Sequence, residues 1–334
     1  MTVTTWTALC SAGALMALAS CCQEGTPSVR GWPNASATSP AAPADTAREA
    51  PAASASGIAK GGDGAPSVQT LLDAHAAELE RLPSLVAGGT LEVRWRDDQG
   101  DHFEQGDLDL RFRAPGELSL RLSKVGETQF LGGCNATHWW WFEGWTKPTR
   151  LAIGSRRADG RSAAKDAERR GPPIQADELL TLLALRPFAR IETDRPAQKR
   201  VDGEWIVDLD DRTSPMGLPT RLVFVPAQAQ GAVGWTMRSL EVLDAAGTVV
   251  LSALYEDHAR IERRGVATGD WPVMAKRVTI TVPPHGDRTG FEWRIVLDRP
   301  SATGERIAER LFDLQAVRAA VRAEVVEDMD RSEP

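Results

Sequence analysis

Leu91-Glu92-Val93-Arg94-Trp95-Arg96 alternates apolar and charged residues without a break, and the same alternation returns twice further along the chain. It continues in Asp107-Leu108-Asp109-Leu110-Arg111-Phe112-Arg113 and in Glu117-Leu118-Ser119-Leu120-Arg121-Leu122-Ser123. A period of two residues predicts strands that bury one face and expose the other. Short turn-forming links separate these runs: 98–101, 115–116 and 125–126. We therefore expect neighbouring strands to pair antiparallel, with one face of the sheet covered and one in water.

Two helices are predicted on either side of this meander. Apolar residues and His75 recur at helical spacing over 68–82 before Pro83, which predicts an amphipathic helix with His75 as a core residue. Asp177 is the predicted N-cap of a second, short helix that ends near Pro187. The polar and Arg-rich segment 155–173, just before the second helix, is interpreted as an exposed loop. Contact of this loop with anionic head groups is the alternative.

The remaining pattern is mostly strand. Further strands are predicted over 128–131, 138–142, 150–153, 204–209, 221–225, 235–243, 248–256, 277–282 and 291–297. Ala245-Ala246-Gly247 is the expected hairpin link in the second half. The tail 304–330 is helix-prone, but 310–314 fits a last strand equally well. The fold class is therefore mainly β with helices (α+β).

The N-terminal residues predict export. Residues 8–20 are apolar and small, too few to span a bilayer, and they end in Leu18-Ala19-Ser20-Cys21, where a small-residue cleavage site belongs. Ala, Pro, Ser and Gly dominate from Gln23 to about Pro66, and such a segment cannot bury enough apolar surface to order itself. We expect a signal peptide at 1–20, a flexible linker at 21–66 and one domain at 67–334.

Composition excludes several classes of function. The formal net charge of −7 argues against a nucleic-acid partner, which needs a concentrated basic surface. Cys134 is the sole cysteine in the body of the predicted mature chain, which excludes an internal disulfide and a Cys-x-x-Cys metal site, and we interpret it as a buried, inert thiol. No zinc, nucleophile-elbow or phosphate-loop motif occurs, and Glu256-Asp257-His258 is interpreted as a solvated strand end. We expect no catalysis, no cofactor and no metal.

The run His138-Trp139-Trp140-Trp141-Phe142, with Trp145 nearby, is the most unusual local feature. Strand alternation places Trp139 and Trp141 on one face and Trp140 on the other, so at least one indole is at risk of exposure. Indoles suit a boundary between apolar and wet surroundings, such as a cavity mouth or a membrane interface. An aromatic core strand with an edge tryptophan is the alternative.

Several of these segments resemble the LolA/LolB family of periplasmic lipoprotein carriers and receptors. The resemblance lies in the opening helix at 68–82 followed by 91–95, in the link 112–118 and in the run 138–142. A weaker similarity covers 240–247 and Trp271-Pro272, which is followed by 278–282. It implies an incomplete, antiparallel β-barrel wrapped around helices, with an apolar cavity that accepts acyl chains. Leu18 to Cys21 likewise resembles the lipobox of bacterial lipoproteins. That resemblance implies a lipid anchor on Cys21 and, because Cys22 rather than Asp follows, a periplasmic location at the outer membrane.

The alternation also predicts which residues line this cavity. The residues are those of the apolar strand faces: Leu91, Val93, Trp95, Leu108, Leu110, Phe112, Leu118, Leu120, Leu122, Trp139 and Trp141. We expect a monomer that binds acyl chains or lipidated clients there, in lipoprotein or lipid trafficking. Periodicity does not distinguish a hollow interior from a filled one. The alternative is therefore a non-catalytic envelope interaction or stress-sensing module with a packed interior.

Overall fold

A computed structural model describes residues 65–97, 100–156, 174–175, 178–191, 194–200, 202–227, 234–284, 290–302 and 307–330. These residues belong to one compact unit that spans 60–334. The predicted signal peptide, Cys21, nearly all of the predicted linker, the Asp177 N-cap and most of the Arg-rich loop lie outside the described residues.

One sheet of fourteen strands makes up most of the described chain. The strands are β1 (Ser84–Asp97), β2 (Gly100–Arg113), β3 (Glu117–Lys124), β4 (Glu127–Cys134), β5 (His138–Glu143), β6 (Arg150–Ser155), β7 (Gln198–Lys199), β8 (Trp205–Leu209), β9 (Thr220–Pro226), β10 (Trp235–Leu243), β11 (Val249–Arg260), β12 (Val273–Val282), β13 (Phe291–Ser301) and β14 (Val325–Asp328). Their spatial order is β14-β6-β5-β4-β3-β2-β1-β13-β12-β11-β10-β9-β8-β7.

Two antiparallel meanders, β1–β6 and β7–β13, join where β1 pairs with β13. Trp95 of β1 lies opposite Phe291 of β13, for example. The two edges, β14 and β7, do not pair with each other, so the sheet is open. The prediction of an incomplete antiparallel barrel is confirmed, and the hairpin at Ala245–Gly247 joins β10 to β11 as expected.

The sheet curls strongly, as ring contacts across its interior show. Trp141 of β5 and Trp293 of β13 are five strand positions apart, which in a flat sheet would separate them by about 24 Å. Their ring centroids are 5.3 Å apart. Phe130 of β4 also contacts Trp293, with centroids 5.0 Å apart. The two meanders therefore meet at their inner faces as well as along β1 and β13.

Two helices lie against this inner face. Helix α1 (Val68–Glu80) begins at the N-cap Ser67, whose Oγ accepts a hydrogen bond from Thr70 N at 3.1 Å. Helix α2 (Glu178–Leu182) is a single short turn buried along most of its length. The buried leucines of both helices belong to the same apolar cluster as the inner strand faces. In the part of the chain described, no helix is long and apolar enough to cross a membrane.

The tail supplies a third helix, within the segment predicted to be helix-prone, and a parallel strand that was not predicted. Helix α3 (Leu314–Val321) packs on the outer face of β4–β6, and β14 pairs parallel with β6. The alternative of a strand at 310–314 is wrong, because a 3-10 turn covers Glu309–Leu311 and Asp313 caps α3 by accepting hydrogen bonds from Gln315 N and Ala316 N.

The three indoles of β5 are all buried, as the alternative of an aromatic core strand requires. Trp139, Trp140 and Trp141 are 1%, 0% and 3% exposed. Alternation places Trp140 on the outer face as predicted, but α3 covers it, with Val317 buried in the same cluster. The tail thus removes from water the one indole that the sheet alone leaves outside.

Candidate functional site

The eleven predicted lining residues all lie on the inner face of β1, β2, β3 and β5, in or against a single apolar cluster. Ten of them are no more than 3% exposed, and Trp95 at the end of β1 is partly buried. Leucines of α1 and α2 fill the space beside them. This half of the interior is therefore packed, and its role as a cavity lining stays a prediction.

Glycines opposite β5 make room for two of its three indoles, and the glycine opposite the third makes room for Phe130. Across the strand pairs, Trp139 lies opposite Gly154, and Trp140 and Trp141 lie opposite Gly133 and Gly132. A Cβ on Gly154 would lie 2.5 Å from Trp139 Nε1, and one on Gly133 would lie 2.7 Å from Trp140 Cε2. Any larger residue would collide with a ring, so these glycines allow large flat side chains to lie against the strands.

A row of aromatic rings extends from Trp293, which contacts Trp141, to the β1–β2 turn. It consists of Trp293, Phe130, Trp145, Trp95 and His102. Successive ring centroids are 5.0, 5.8, 6.0 and 4.9 Å apart. Phe130 is fully buried, whereas Trp95, Trp145 and His102 are partly exposed. The row thus gives a continuous aromatic surface from the core to the strand ends.

A cavity of about 50 Å³ lies in the other half of the interior, between α1, the segment after α2 and strands β10–β12. We call it the histidine cavity, because His75 and His258 line it together with Glu78, Leu79, Leu82, Leu183, Ala184, Leu185, Trp235, Thr236, Met237, Tyr255, Pro272, Val273, Met274 and Ala275. None of the eleven predicted lining residues is among them. The strand pattern is alike in both halves, so the sequence carries no signal that places the free space here.

Both histidines of this cavity are neutral. A backbone carbonyl can only accept, so Nε2–H of His75 donates to Arg186 O at 3.2 Å and Nε2–H of His258 donates to Met237 O at 3.1 Å. Burial lowers the pKa of His75 to about 4, against the opposing effect of its hydrogen bond. Burial likewise lowers the pKa of His258. The satisfied ring nitrogen of His75 confirms its interpretation as a core histidine.

His258 occupies a position that alternation assigns to the outer face. Tyr255 and His258 line the same cavity although they are three residues apart on β11. Between them Asp257 has φ of +54°, in the left-handed region, and its carboxylate pairs with Arg277 at 2.8 Å. This break in the strand explains why the prediction of a solvated cluster at 256–258 is wrong for His258.

Other polar groups of the cavity wall are also satisfied within the protein. Glu78 Oε1 accepts from Arg81 Nη1 at 2.8 Å, and its Oε2 accepts from Val273 N at 2.8 Å. Tyr255 donates its hydroxyl hydrogen to Thr181 O at 3.5 Å, and burial raises its pKa. Among the described residues, no group of three His, Cys, Asp or Glu side chains could hold a metal ion. The wall therefore offers a neutral and largely apolar surface.

Together these features define a class of protein, in which one open, curled, antiparallel sheet encloses an apolar interior around two helices. Among the solved structures that are similar to this chain are the following three. A LolA superfamily protein from Nitrosomonas europaea is 9% identical, with 75% of this chain and 99% of that one covered and a TM-score of 0.40. An outer membrane lipoprotein-sorting protein domain from Vibrio parahaemolyticus is 11% identical, with coverages of 74% and 97% and a TM-score of 0.38.

The third is a DUF1329 family protein from Desulfovibrio piger, 8% identical, with coverages of 75% and 99% and a TM-score of 0.34. No protein-family model matches the sequence, and no curated protein is similar to it.

Proposed function

We propose that this chain binds acyl chains, free or attached to lipidated clients, in the apolar interior between its sheet and helices, without catalysis. The observation that carries the proposal is the extent of that interior. One apolar cluster spans the inner face of a sheet of fourteen strands, and the helices that cover it have only 13 and 5 residues. The resemblance found in the sequence implies the same class of ligand.

Binding requires the interior to open. Small-molecule sites commonly have volumes of about 300–1,000 Å³, and the histidine cavity has about 50 Å³. We propose that α2 is the element that moves, because it has only five residues and the His75–Arg186 hydrogen bond is one of the polar links between α1 and the segment after α2. Each methylene group that enters would then stabilise the complex by about 0.8 kcal/mol.

The same proposal places the protein on a membrane through Cys21, facing the periplasm at the outer membrane. There it would take part in lipoprotein or lipid trafficking. A diacylglyceryl group on the thiol, with a further acyl chain on the new N-terminus, is a stable anchor because several chains bury many methylene groups. Cys21 and Cys22 provide a matched pair for the test. Cys21→Ala should release the chain from the membrane fraction and Cys22→Ala should not; equal membrane association of both variants would contradict the anchor.

Acyl-chain binding is tested with the full Cys21→Ala chain, produced without export so that no anchor competes for the interior. A fluorescent long-chain fatty acid should bind, and an organic extract of the purified protein should contain lipid. Ala275→Phe places a ring in the histidine cavity and should weaken binding by about tenfold or more, the effect of losing about 1.4 kcal/mol or more. Ala246→Phe, in the exposed β10–β11 turn, is the control. Absence of both fatty-acid binding and co-purified lipid would exclude the function.

A second candidate function follows from the dense packing of the predicted lining. With ten of those eleven residues at 3% exposure or less, the same fold could serve as an envelope interaction or stress-sensing module with a filled interior. Capture of one defined protein partner by a chain that carries no lipid and binds no fatty acid would favour this function over the first.

A further inference from the structure

Two buried nitrogen–hydrogen donors at one corner of the interior have no acceptor. They are Trp139 Nε1 and Arg156 Nε, and neither has a hydrogen-bond partner in the part of the chain described. The Trp139 side chain is 1% exposed. Native proteins pair nearly all of their buried polar groups, and an exception calls for a specific explanation such as a ligand.

The register of β5 with the strand that follows places both residues on the inner face. Trp139 of β5 lies opposite Gly154 of β6, and its Nε1 is 2.5 Å from where a Cβ on Gly154 would be. Arg156 lies two residues after Gly154. The pairing with the β5 side extends to it, because Arg156 N donates to Thr137 O at 2.8 Å. Two residues of a strand span about 6–7 Å and return to the same face. The Trp139 and Arg156 side chains therefore project from the same face at neighbouring positions.

Among the residues that the structure describes, Arg156 has no acidic partner. Its Nη1 donates to two backbone carbonyls, Gly116 O at 2.9 Å and Asn135 O. No carboxylate of the described residues forms an ion pair with it, in contrast to Arg113, which pairs with Glu117 and Glu309. A partly buried guanidinium without a counter-charge attracts an anion, because the carbonyls hold it in place but do not neutralise it.

We propose that Arg156 and Trp139 bind the oxyanion of a lipid head group, a carboxylate or a phosphate, whose acyl chain enters the interior. The inference rests on the proposed function, since it supplies the polar end for the chain that the interior holds. The planar guanidinium matches either oxyanion, and the indole N–H adds a second donor.

Two glycines and a leucine surround this corner. A Cβ on Gly116 would lie 3.5 Å from Arg156 Nη2 and 3.6 Å from Leu180 Cδ1, so the guanidinium and a buried side chain of α2 flank the same glycine. The indole edge of Trp139 lies against Gly154, which has no side chain to cover it. A charged group close to an apolar surface is what an anionic, acyl-bearing ligand requires.

The test compares three lipids with the same 16-carbon chain: palmitic acid, palmitoyl lysophosphatidic acid and the neutral monopalmitoyl glycerol. Each displaces a fluorescent fatty acid from the full Cys21→Ala chain. At least one anionic lipid should bind about tenfold or more tightly than the neutral lipid, and the preferred one identifies the oxyanion as carboxylate or phosphate. Arg156→Gln should weaken anionic binding by about ten- to a hundredfold, as expected for a charge-assisted hydrogen bond, and leave neutral binding unchanged.

Three further variants test whether these two side chains bind the anion. Trp139→Phe, which removes the N–H and keeps an aromatic ring, should weaken anionic binding by about fivefold to tenfold. Arg156→Lys should restore part of the anion preference that Arg156→Gln removes. Trp140→Phe is the control, because Trp140 Nε1 is equally unpartnered but lies on the outer face under α3. Thermal unfolding of each variant shows whether it folds.

Equal binding of neutral and anionic lipids by the parent chain would overturn the oxyanion site and leave acyl-chain binding intact. The oxyanion site is also overturned if neither Arg156→Gln nor Trp139→Phe alters the anion preference in a folded protein. Failure of all three lipids to bind would overturn both this inference and the proposed function.

Discussion

Single residues set the shape of the interior around β5. Each of the three consecutive tryptophans lies opposite a glycine on a neighbouring strand, and the rings of Trp139 and Trp140 occupy the volume where a Cβ would be. The glycines at 132, 133 and 154 are visible in the sequence, but their pairing with the indoles depends on strand register. Register is a property of the assembled sheet, because a shift of one residue would move every ring to the other face.

Gly154→Ala tests this arrangement. The added methyl would lie 2.5 Å from Trp139 Cε2, so the ring or the strand must shift. We expect the free energy of unfolding to fall by about 1–3 kcal/mol, the usual effect of overpacking a core, as measured by urea denaturation. Gly269→Ala is the control, since no atom lies within 4 Å of its Cβ position, and its effect should stay within about 0.5 kcal/mol. Equal effects at the two positions would contradict the steric explanation.

His75 should make stability depend on pH in the acid range. The unfolded chain protonates this residue below about pH 6.5, but the native chain does so only near pH 4, where its lowered pKa lies. Stability should therefore fall as the pH is lowered through this window, by roughly 3 kcal/mol in total, since one pH unit corresponds to about 1.4 kcal/mol. Urea denaturation at pH 7, 5.5 and 4.5 measures the loss.

His75→Leu is the matched variant for this prediction. It removes the titrating group while keeping the site apolar, so its stability should depend less steeply on pH than that of the parent chain. A smaller dependence of the same sign should remain, because burial also lowers the pKa of His258. Parallel curves for parent and variant would show that His75 does not titrate as described.

At the scale of elements, the tail completes the sheet. Helix α3 covers an outer patch formed by Leu131, Trp140, Phe142 and Leu151, and β14 adds to the edge strand β6. Hydrogen bonds hold it in place, among them Ser155 N to Asp330 Oδ2 at 2.7 Å. An uncovered apolar face beside an open strand edge would favour association between molecules. The tail therefore covers the apolar outer face of β4–β6 and pairs with the edge strand β6.

Val317→Asp should detach this cover. Val317 is the buried residue of α3, and a carboxylate in its place would be desolvated against Trp140. We expect a loss of about 2–4 kcal/mol in the free energy of unfolding, with early proteolysis of the tail. Ala319→Asp, exposed on the same helix, should lose less than about 1 kcal/mol. If the two variants are equally stable and equally resistant to protease, α3 does not cover the sheet.

For the whole molecule, the decisive contact is the meeting of the two meanders inside the curl. Trp293 of the second meander contacts Trp141 and Phe130 of the first, in addition to the backbone pairing of β1 with β13. Rings that are far apart along the sheet thus become neighbours, and the interior becomes one continuous apolar cluster. We expect the two meanders to unfold together.

Trp293→Ala tests this coupling. It should lower the free energy of unfolding by about 3–5 kcal/mol, as for other large-to-small changes in a core, and circular dichroism should show a broader or divided transition. Trp293→Phe retains much of the ring surface and should lose less. A sharp, unchanged transition in Trp293→Ala would mean that the inner contact does not couple the meanders.

Local periodicity was sufficient to predict much of this protein. The apolar positions of β1, β2 and β3, such as Leu91, Leu110 and Leu120, are buried as the alternation predicts. Both inner helices form close to their predicted positions, because the helical spacing of apolar residues is also a local signal. Cys134 is fully buried, in agreement with its interpretation as an inert thiol.

Features that depend on distant residues could not be predicted in this way. The cover on Trp140 comes from a helix more than 170 residues further along the chain, and the turn of His258 into the histidine cavity depends on the backbone at Asp257. The unpaired donors of Trp139 and Arg156 likewise become neighbours only through the pairing of β5 with β6. An alternating pattern reports which face of a strand is apolar, but not what covers that face.

The amino-acid pattern alone therefore specified the mainly β class, the antiparallel order of neighbouring strands and the side of each strand that avoids water. Folding in three dimensions settled how tightly the sheet curls, where its interior keeps free space and which donors remain unsatisfied. The physical reason is how far apart along the chain the interacting residues lie. Strand periodicity arises from the geometry of adjacent residues. Curl, cavities and unpaired groups arise from packing between segments that are distant in sequence.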